Sequence, residues 1–190
     1  TKIELPIIFA SFYGLRRSEV LGLKWDAIDF QRNTITIQHT YNICDVEGST
    51  IEVAADTTKT KSSHRTLPLI PQFRDILLEK WEQQEEYKRV CGRCYNKKYM
   101  DYICVDEMGN IIKPNYLTDS FSSLLKKNEL RHIRFHDLRH TCASLLLNNG
   151  IPMKQIQEWL GHSDFSTTAN IYAHLDCNSK LTSAQAMLTG

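Results

Sequence analysis

Between Phe135 and His174 the chain reads FHDLRHTCASLLLNNGIPMKQIQEWLGHSDFSTTANIYAH. His136, Arg139 and His162 place cationic and hydrogen-bonding groups ahead of one late tyrosine, Tyr172. Such a set can gather round an anion beside an oxygen nucleophile, which points to phosphoryl transfer on a phosphodiester such as DNA. A phosphodiester is already anionic, and its transition state spreads further charge over the non-bridging oxygens. Arginine suits those oxygens because its planar fork matches two of them and stays protonated. A tyrosine hydroxyl, with a pKa of about 10, needs positive charge or a base nearby to attack at neutral pH. His136 and His162 can supply either.

The remaining groups must come from further back in the chain. Arg16 and Arg17 adjoin Gly14-Leu15 between two apolar segments, and one of them could clamp the phosphate opposite Arg139. The segment TTKTKSSHRTLPL, residues 57–69, carries Lys59 and Lys61. A lysine held out on that turn could protonate the alkoxide leaving group of a sugar. Each piece also has a plainer reading. The arginine pair and the lysines suit a solvated surface, Tyr172 a core aromatic, and His162, after Leu160-Gly161, a helix C-terminal cap. His136 and His140 have the i, i+4 spacing of metal ligands, but no glutamate base accompanies them and the intervening Arg139 opposes a cation. Cys91-Gly-Arg-Cys94 is a lone CxxC that Cys104 and a histidine would have to complete as a zinc site. It is the joint occurrence of these groups, in this order, that favours the phosphodiester chemistry.

The elements that must position these groups follow from local pattern. Ile3–Tyr13 has apolar residues at helical spacing and breaks at Gly14-Leu15. A short helix is expected next, with Ser18 as N-cap and Val20, Leu21 and Leu23 inward. Asn33–His39 alternates as a strand and Ile51–Ala54 reads as a second, with Gly48-Ser49 in the turn between them. The lysine-bearing turn then leads into a strand that Pro68 ends or sets at an edge. These strands should form one small antiparallel sheet. Pro71–Val90 reads as a helix with Phe73, Ile76, Leu77 and Trp81 on one apolar face. Tyr102–Val105 suits a short strand, and Asn115–Asn128 an amphipathic helix with Leu117, Phe121, Leu124 and Leu125 inward. Helices are expected at His136–Leu147, stopped by Asn148-Asn149-Gly150, and at Pro152–Leu160, stopped by Gly161. Two more are expected at 167–174, bearing Tyr172, and at 180–188. The fold class is α+β, mainly helical: a helical bundle with a small antiparallel sheet or hairpin on one side.

Composition narrows the setting. The 190 residues carry a net charge of +1, so bulk electrostatics does not by itself announce a nucleic-acid partner. Charge is uneven, however: residues 75–86 are acidic and 113–140 mostly basic, and a local basic face can hold phosphates. No apolar run approaches the roughly 18 residues of a membrane span. The six cysteines are scattered without a secretory signal, which suits reduced thiols in a cytoplasmic protein. The first residue is Thr1 rather than Met, so the chain is expected to be a fragment of something longer.

Four segments, GLRRSEVLGLKWDAIDF, KTKSSHRTLPL, HDLRHTCASLLL and LGHSDFSTTANIYAH, together run in order from Gly14 to His174. In them the chain resembles the catalytic domain of the tyrosine recombinase, or phage integrase, family. It looks most like integrases of temperate phages and conjugative transposons. The resemblance implies a catalytic domain over 1–175, with the DNA breaking-rejoining fold. A tail over 176–190 would be a protomer-docking helix, and N-terminal DNA-binding domains would be absent from this fragment. Carried over by position, the catalytic set is Arg16, Lys59, His136, Arg139, His162 and Tyr172, with Lys61 the rival to Lys59. No metal or other cofactor is implied, nor ATP. Tyr172 would attack the scissile phosphate to give a 3′-phosphotyrosyl enzyme and a free 5′-hydroxyl. Arg16, Arg139 and His162 would stabilise the phosphate. His136 would assist proton transfer at the tyrosine, and Lys59 would protonate the leaving 5′-oxygen.

The implied partners are double-stranded DNA recombination sites and three further copies of the chain, a tetramer on two duplexes from a monomer without DNA. Accessory DNA-bending or directionality proteins are also implied, and the setting is a bacterial cytoplasm, near the nucleoid, with no membrane. The alternatives are relaxation of DNA in the manner of a type IB topoisomerase, a non-catalytic DNA-binding module, and a zinc-dependent hydrolase built on Cys91/Cys94 or His136/His140.

Overall fold

A computed structural model of the chain describes residues 2–56 and 64–162. Lys59, Lys61 and Tyr172, the helices expected at 167–174 and 180–188, and the 176–190 tail lie outside the described residues. The helices are α1 (Glu4–Phe12), α2 (Arg17–Gly22), α3 (Pro71–Cys91), α4 (Pro114–Lys127), α5 (Asp137–Asn148) and α6 (Met153–Leu160). The strands are β1 (Ile28–Asp29), β2 (Thr34–Ile37), β3 (His39–Val46), β4 (Ser49–Asp56) and β5 (Arg65–Pro68). The mainly helical α+β class expected from the pattern is the one observed.

Gly14 joins α1 to α2 with φ +64°, and a Cβ there would lie 2.3 Å from Leu160 Cδ2 and 3.3 Å from Cys142 Sγ. Glycine therefore lets the chain pass close over α5 and α6 in a left-handed turn. The N-cap of α2 is Arg16 and not Ser18. Glu19 decides this, because at the third helical position its Oε2 accepts the Arg16 backbone N–H at 2.9 Å.

The single sheet expected from the sequence is two. β1, β2 and β5 form an antiparallel sheet in the order β1-β2-β5, while β3 and β4 form a separate ribbon. The strand character of residues 40–46 went unread because the ribbon is largely exposed, with Val46, Ile51 and Val53 each close to half accessible. Only Tyr41, near the base of the ribbon, is fully buried, so burial imposes little alternation there. Pairing is set instead by Glu47 and Gly48, at φ 50° and 79°, a two-residue turn with the positive φ values that hairpins favour. Ala is excluded at Gly22 for a related reason: its Cβ would meet Thr40 Cα at 2.6 Å, where α2 lies against the ribbon.

β5 is an edge strand that ends at Pro68, as expected. Its register with β2 pairs Ile35 with Leu67 and Ile37 with Arg65. Ile35, Ile37, Leu67 and Arg65 are all buried, so the strand period places an arginine on the core face.

α3 starts with Pro71 in its first turn and buries Leu77, but Trp81 is 46% exposed. The inward place expected for Trp81 is taken by Gln84, which is buried because its amide is satisfied. Its Oε1 accepts Trp25 Nε1 at 3.1 Å, and its Nε2 donates to the carbonyls of Met100 and Tyr102 at 3.1 and 3.3 Å. Tyr102–Val105 is not a strand but makes isolated bridges, Lys24 to Tyr102 and Val105 to Ile111. α4 buries Leu117, Phe121 and Leu125, with Leu124 partly buried against the same core. That core is built around Phe9, Tyr13, Leu21, Ile35, Leu77 and Ile103. A smaller cluster, Cys142, Ala143, Ile156 and Leu160, joins α5 to α6. Among the described residues no helix is long and apolar enough to cross a membrane.

Candidate functional site

The C-terminal end of α6 is where the site assembles. A helix end leaves carbonyls without intrahelical partners and carries a partial negative charge. Gly161, in the left-handed conformation, closes the first of these: its N–H donates to the carbonyls of Gln157 and Glu158, and the His162 N–H also donates to Gln157. The next three carbonyls are met by three arginines. Arg65 Nε donates to Trp159 O at 2.8 Å, Arg139 Nη2 to Leu160 O at 2.7 Å, and Arg16 Nη2 to Gly161 O at 3.1 Å. Arg139 also donates to Gly14 O at 2.5 Å, which is how the glycine turn enters the site.

Three guanidinium groups at one helix end repel each other, and among the described residues the Glu19 carboxylate offsets part of that charge by pairing with two of them. Glu19, buried at 1% exposure, accepts Arg16 Nη1 at Oε1 (2.6 Å) and Arg65 at both oxygens (3.0 and 3.3 Å). Burial alone raises the Glu19 pKa. The charge and hydrogen bonds of Arg65, then of Arg16, outweigh that and hold it below the ordinary carboxylate range. Arg139 is pushed down to about 9, first by burial and then by the neighbouring charge of Arg16.

His162 sits in the same cluster. Arg139 Nε donates to its Nε2 at 3.3 Å, so that nitrogen is the acceptor and the ring is neutral. Burial first, then Arg139, Arg16 and Arg65, push its pKa down to about 4. Beside it, His64, Arg65, Lys154, Gln157 and Gly161 line an open cleft of about 300 Å³.

Arg16, Arg139 and His162 are thus brought together as expected from the sequence. Arg17 is not part of that group: it lines another cleft, of about 460 Å³, with His132, Arg134 and His136. His136 occupies the N-cap of α5, exposed, with its ring edge-on to His140 at 5.2 Å. Burial, then His140 and Arg139, lower its pKa. His162 does help close α6, through its backbone N–H, but its ring belongs to the arginine cluster. Cys104 Sγ donates to Val20 O at 3.4 Å and Cys91 Sγ to Glu107 O at 3.5 Å, so the two thiols face different surroundings. Among the described residues no three or more His, Cys, Asp or Glu side chains come together as metal ligands.

Two members of the cluster, Glu19 and Arg65, were not singled out from the sequence. Signals for both exist. Arg16-x-x-Glu19 has a glutamate at the capping-box position of α2, and Arg65 is in phase with Leu67 and Leu69 on an alternating strand.

The family model described as "Phage integrase family" matches residues 5–179. A tyrosine recombinase XerC-like protein of Caldanaerobacter subterraneus subsp. tengcongensis is 35% identical over 98% of this chain and 49% of its own length. The transposase from transposon Tn916 of Enterococcus faecalis is 28% identical over 88% of this chain and 41% of its own length. The chain therefore spans about half the length of the curated relatives it matches. Among solved structures, the Tn1549 transposon integrase in complex with transposon right end DNA superposes with a TM-score of 0.77. It shares 22% identity over 98% of this chain and 59% of that one. XerA recombinase gives a TM-score of 0.70 at 20% identity, over 98% of this chain and 58% of that one.

Proposed function

The chain belongs to the phage integrase family, and on that premise we propose that it is the catalytic part of a tyrosine site-specific recombinase. It would cleave and rejoin double-stranded DNA for integration or excision of a mobile element. The observation that carries this reading is the convergence of Arg16, Arg139 and His162 at the end of α6, from three distant positions in the chain. Their donors and charge suit the non-bridging oxygens of a phosphodiester in its transition state. Arg16 is the first clamp, and Arg17 is the flanking one.

In the proposed mechanism the Tyr172 oxygen attacks the scissile phosphorus and displaces the 5′-oxygen. A 3′-phosphotyrosyl bond forms and one 5′-hydroxyl is released. Arg16, Arg139 and His162 hold the phosphoryl oxygens, His136 takes the tyrosine proton, and Lys59 donates a proton to the leaving oxygen. Attack by a 5′-hydroxyl of another strand reverses the step and seals DNA in a new pairing. The catalytic domain spans 1–175 in this reading, and the 176–190 tail docks on a neighbouring protomer. Four copies act on two duplexes in the bacterial cytoplasm; that DNA is the partner is supported by the similar Tn1549 integrase and XerH recombinase, each solved in complex with DNA. The mechanism is tested on suicide DNA with a nick beside the scissile phosphate, which traps the covalent adduct. Tyr172→Phe should give no adduct, and an adduct of undiminished yield in that variant refutes the assignment.

A further inference from the structure

We propose that Arg65 is a positioning residue for the reaction: its fork locks Glu19, and through Glu19 sets where the Arg16 guanidinium points. This rests on the recombinase reading above. Arg65 is only 7% exposed, and its donors are engaged by Trp159 O and by both oxygens of Glu19. All three nitrogens of its guanidinium are thus tied to protein acceptors. Arg16 is placed differently, since its side chain is 37% exposed while Nη1 is bound to Glu19 and Nη2 to Gly161 O.

The carboxylate is the link between the two arginines. Glu19 Oε1 serves Arg16 Nη1 and Arg65 Nη1, while Oε2 serves the Arg16 backbone N–H and Arg65 Nη2. Rotation of that carboxylate would move the Arg16 side chain and loosen the start of α2 together. Arg65 prevents it by meeting the two oxygens with two separate nitrogens while anchored through Nε to α6. It therefore ties three elements, α2, β5 and α6, at one point. Arg65 also opens β5, the strand that follows residues 57–63 and their Lys59 in sequence. A lysine here would keep the charge but not the planar fork, and one ammonium cannot reproduce the geometry of Nε, Nη1 and Nη2 on three separate acceptors.

The test is Arg65→Lys in the intact chain, read as the rate of covalent adduct formation on suicide DNA at saturating concentration. Misplacing a clamp by a fraction of an ångström should slow the step on the order of 10- to 100-fold. DNA affinity should stay within about threefold, because the charge is kept. A second substrate carries a methyl group in place of one non-bridging oxygen at the scissile phosphate, removing the charge that Arg16 holds. On it the slowing should shrink to about threefold or less, since the oxygen charge that makes Arg16 count is gone. Equal slowing on both substrates would mean a merely structural role and overturn the proposal, as would an unchanged rate on the ordinary one. Should Arg65→Lys not fold, Glu19→Asp, which withdraws the carboxylate by one methylene, is read by the same comparison. If the unsubstituted chain forms no adduct on either substrate, the recombinase reading itself fails, and this proposal with it.

Discussion

The neutral state of His162 has a consequence for stability that can be worked through. Its ring nitrogen accepts from Arg139 Nε, and three guanidinium groups surround it. Protonation would remove the acceptor and add a fourth positive charge to the cluster. The pKa falls from the ordinary 6.5 to about 4 in the folded chain, so between those values the unfolded chain binds more protons. Stability attributable to neutral His162 is therefore fully present above pH 6.5 and is lost as pH falls toward 4. For one group the loss from pH 7.5 amounts to about 2 kcal/mol at pH 5 and about 3 kcal/mol at pH 4. Other groups titrate over the same range, so the measurement is a difference. Urea denaturation of the intact chain and of His162→Gln, from pH 4 to pH 7.5, isolates the histidine. The stability advantage of the parent over the variant should shrink by about those amounts on acidification. A difference that stays constant within about 0.5 kcal/mol from pH 7.5 to pH 5 would refute the burial and charge argument. One that grows on acidification would mean that His162 is protonated in the fold.

The remaining expectations concern the arginine cluster. Glu19→Gln removes the carboxylate shared by Arg16 and Arg65 and leaves their charges uncompensated at a buried point. Equilibrium denaturation at neutral pH should show a loss of about 3–5 kcal/mol, and a loss below about 1 kcal/mol would contradict the hub. Arg16→Ala should abolish adduct formation at low salt where DNA still binds, while Arg17→Ala should retain most of the rate and lose affinity with a shallower salt dependence. Retained cleavage by the Arg16 variant would move the clamp to Arg17.

Much of the architecture was legible because local rules and burial agree. The ends of α1, α3, α5 and α6 fall where apolar period, Pro71, Gly150 and Gly161 put them. Disagreements arose where tertiary contacts overrode a local signal. Trp81 fits the helical apolar face by spacing, yet Gln84 is inside because Trp25 and two loop carbonyls satisfy its amide. Ser18 is a good cap by residue type, yet Glu19 makes Arg16 the cap. The ribbon of β3 and β4 is buried only near its base, at Tyr41, and its exposed tip has no core to impose a period, so its first strand left little pattern to read.

The candidate site divides in the same way. By its residue types and their order alone, the chain pointed to a class of chemistry, with arginines and histidines for an anion and a tyrosine for attack, and it singled out Arg139 and His162, which the structure brings together. Those demands follow from the charge of a phosphodiester, which does not depend on the fold. Only the tertiary structure showed that Arg16 reaches the end of α6 while the adjacent Arg17 lines a cleft with His136, because nothing local says where a side chain at a helix start is received. Only it showed that Glu19 and Arg65 belong to the cluster. Their importance comes from meeting one another and the bare carbonyls of α6 across long stretches of chain, and long-range convergence leaves no mark on the residues beside them.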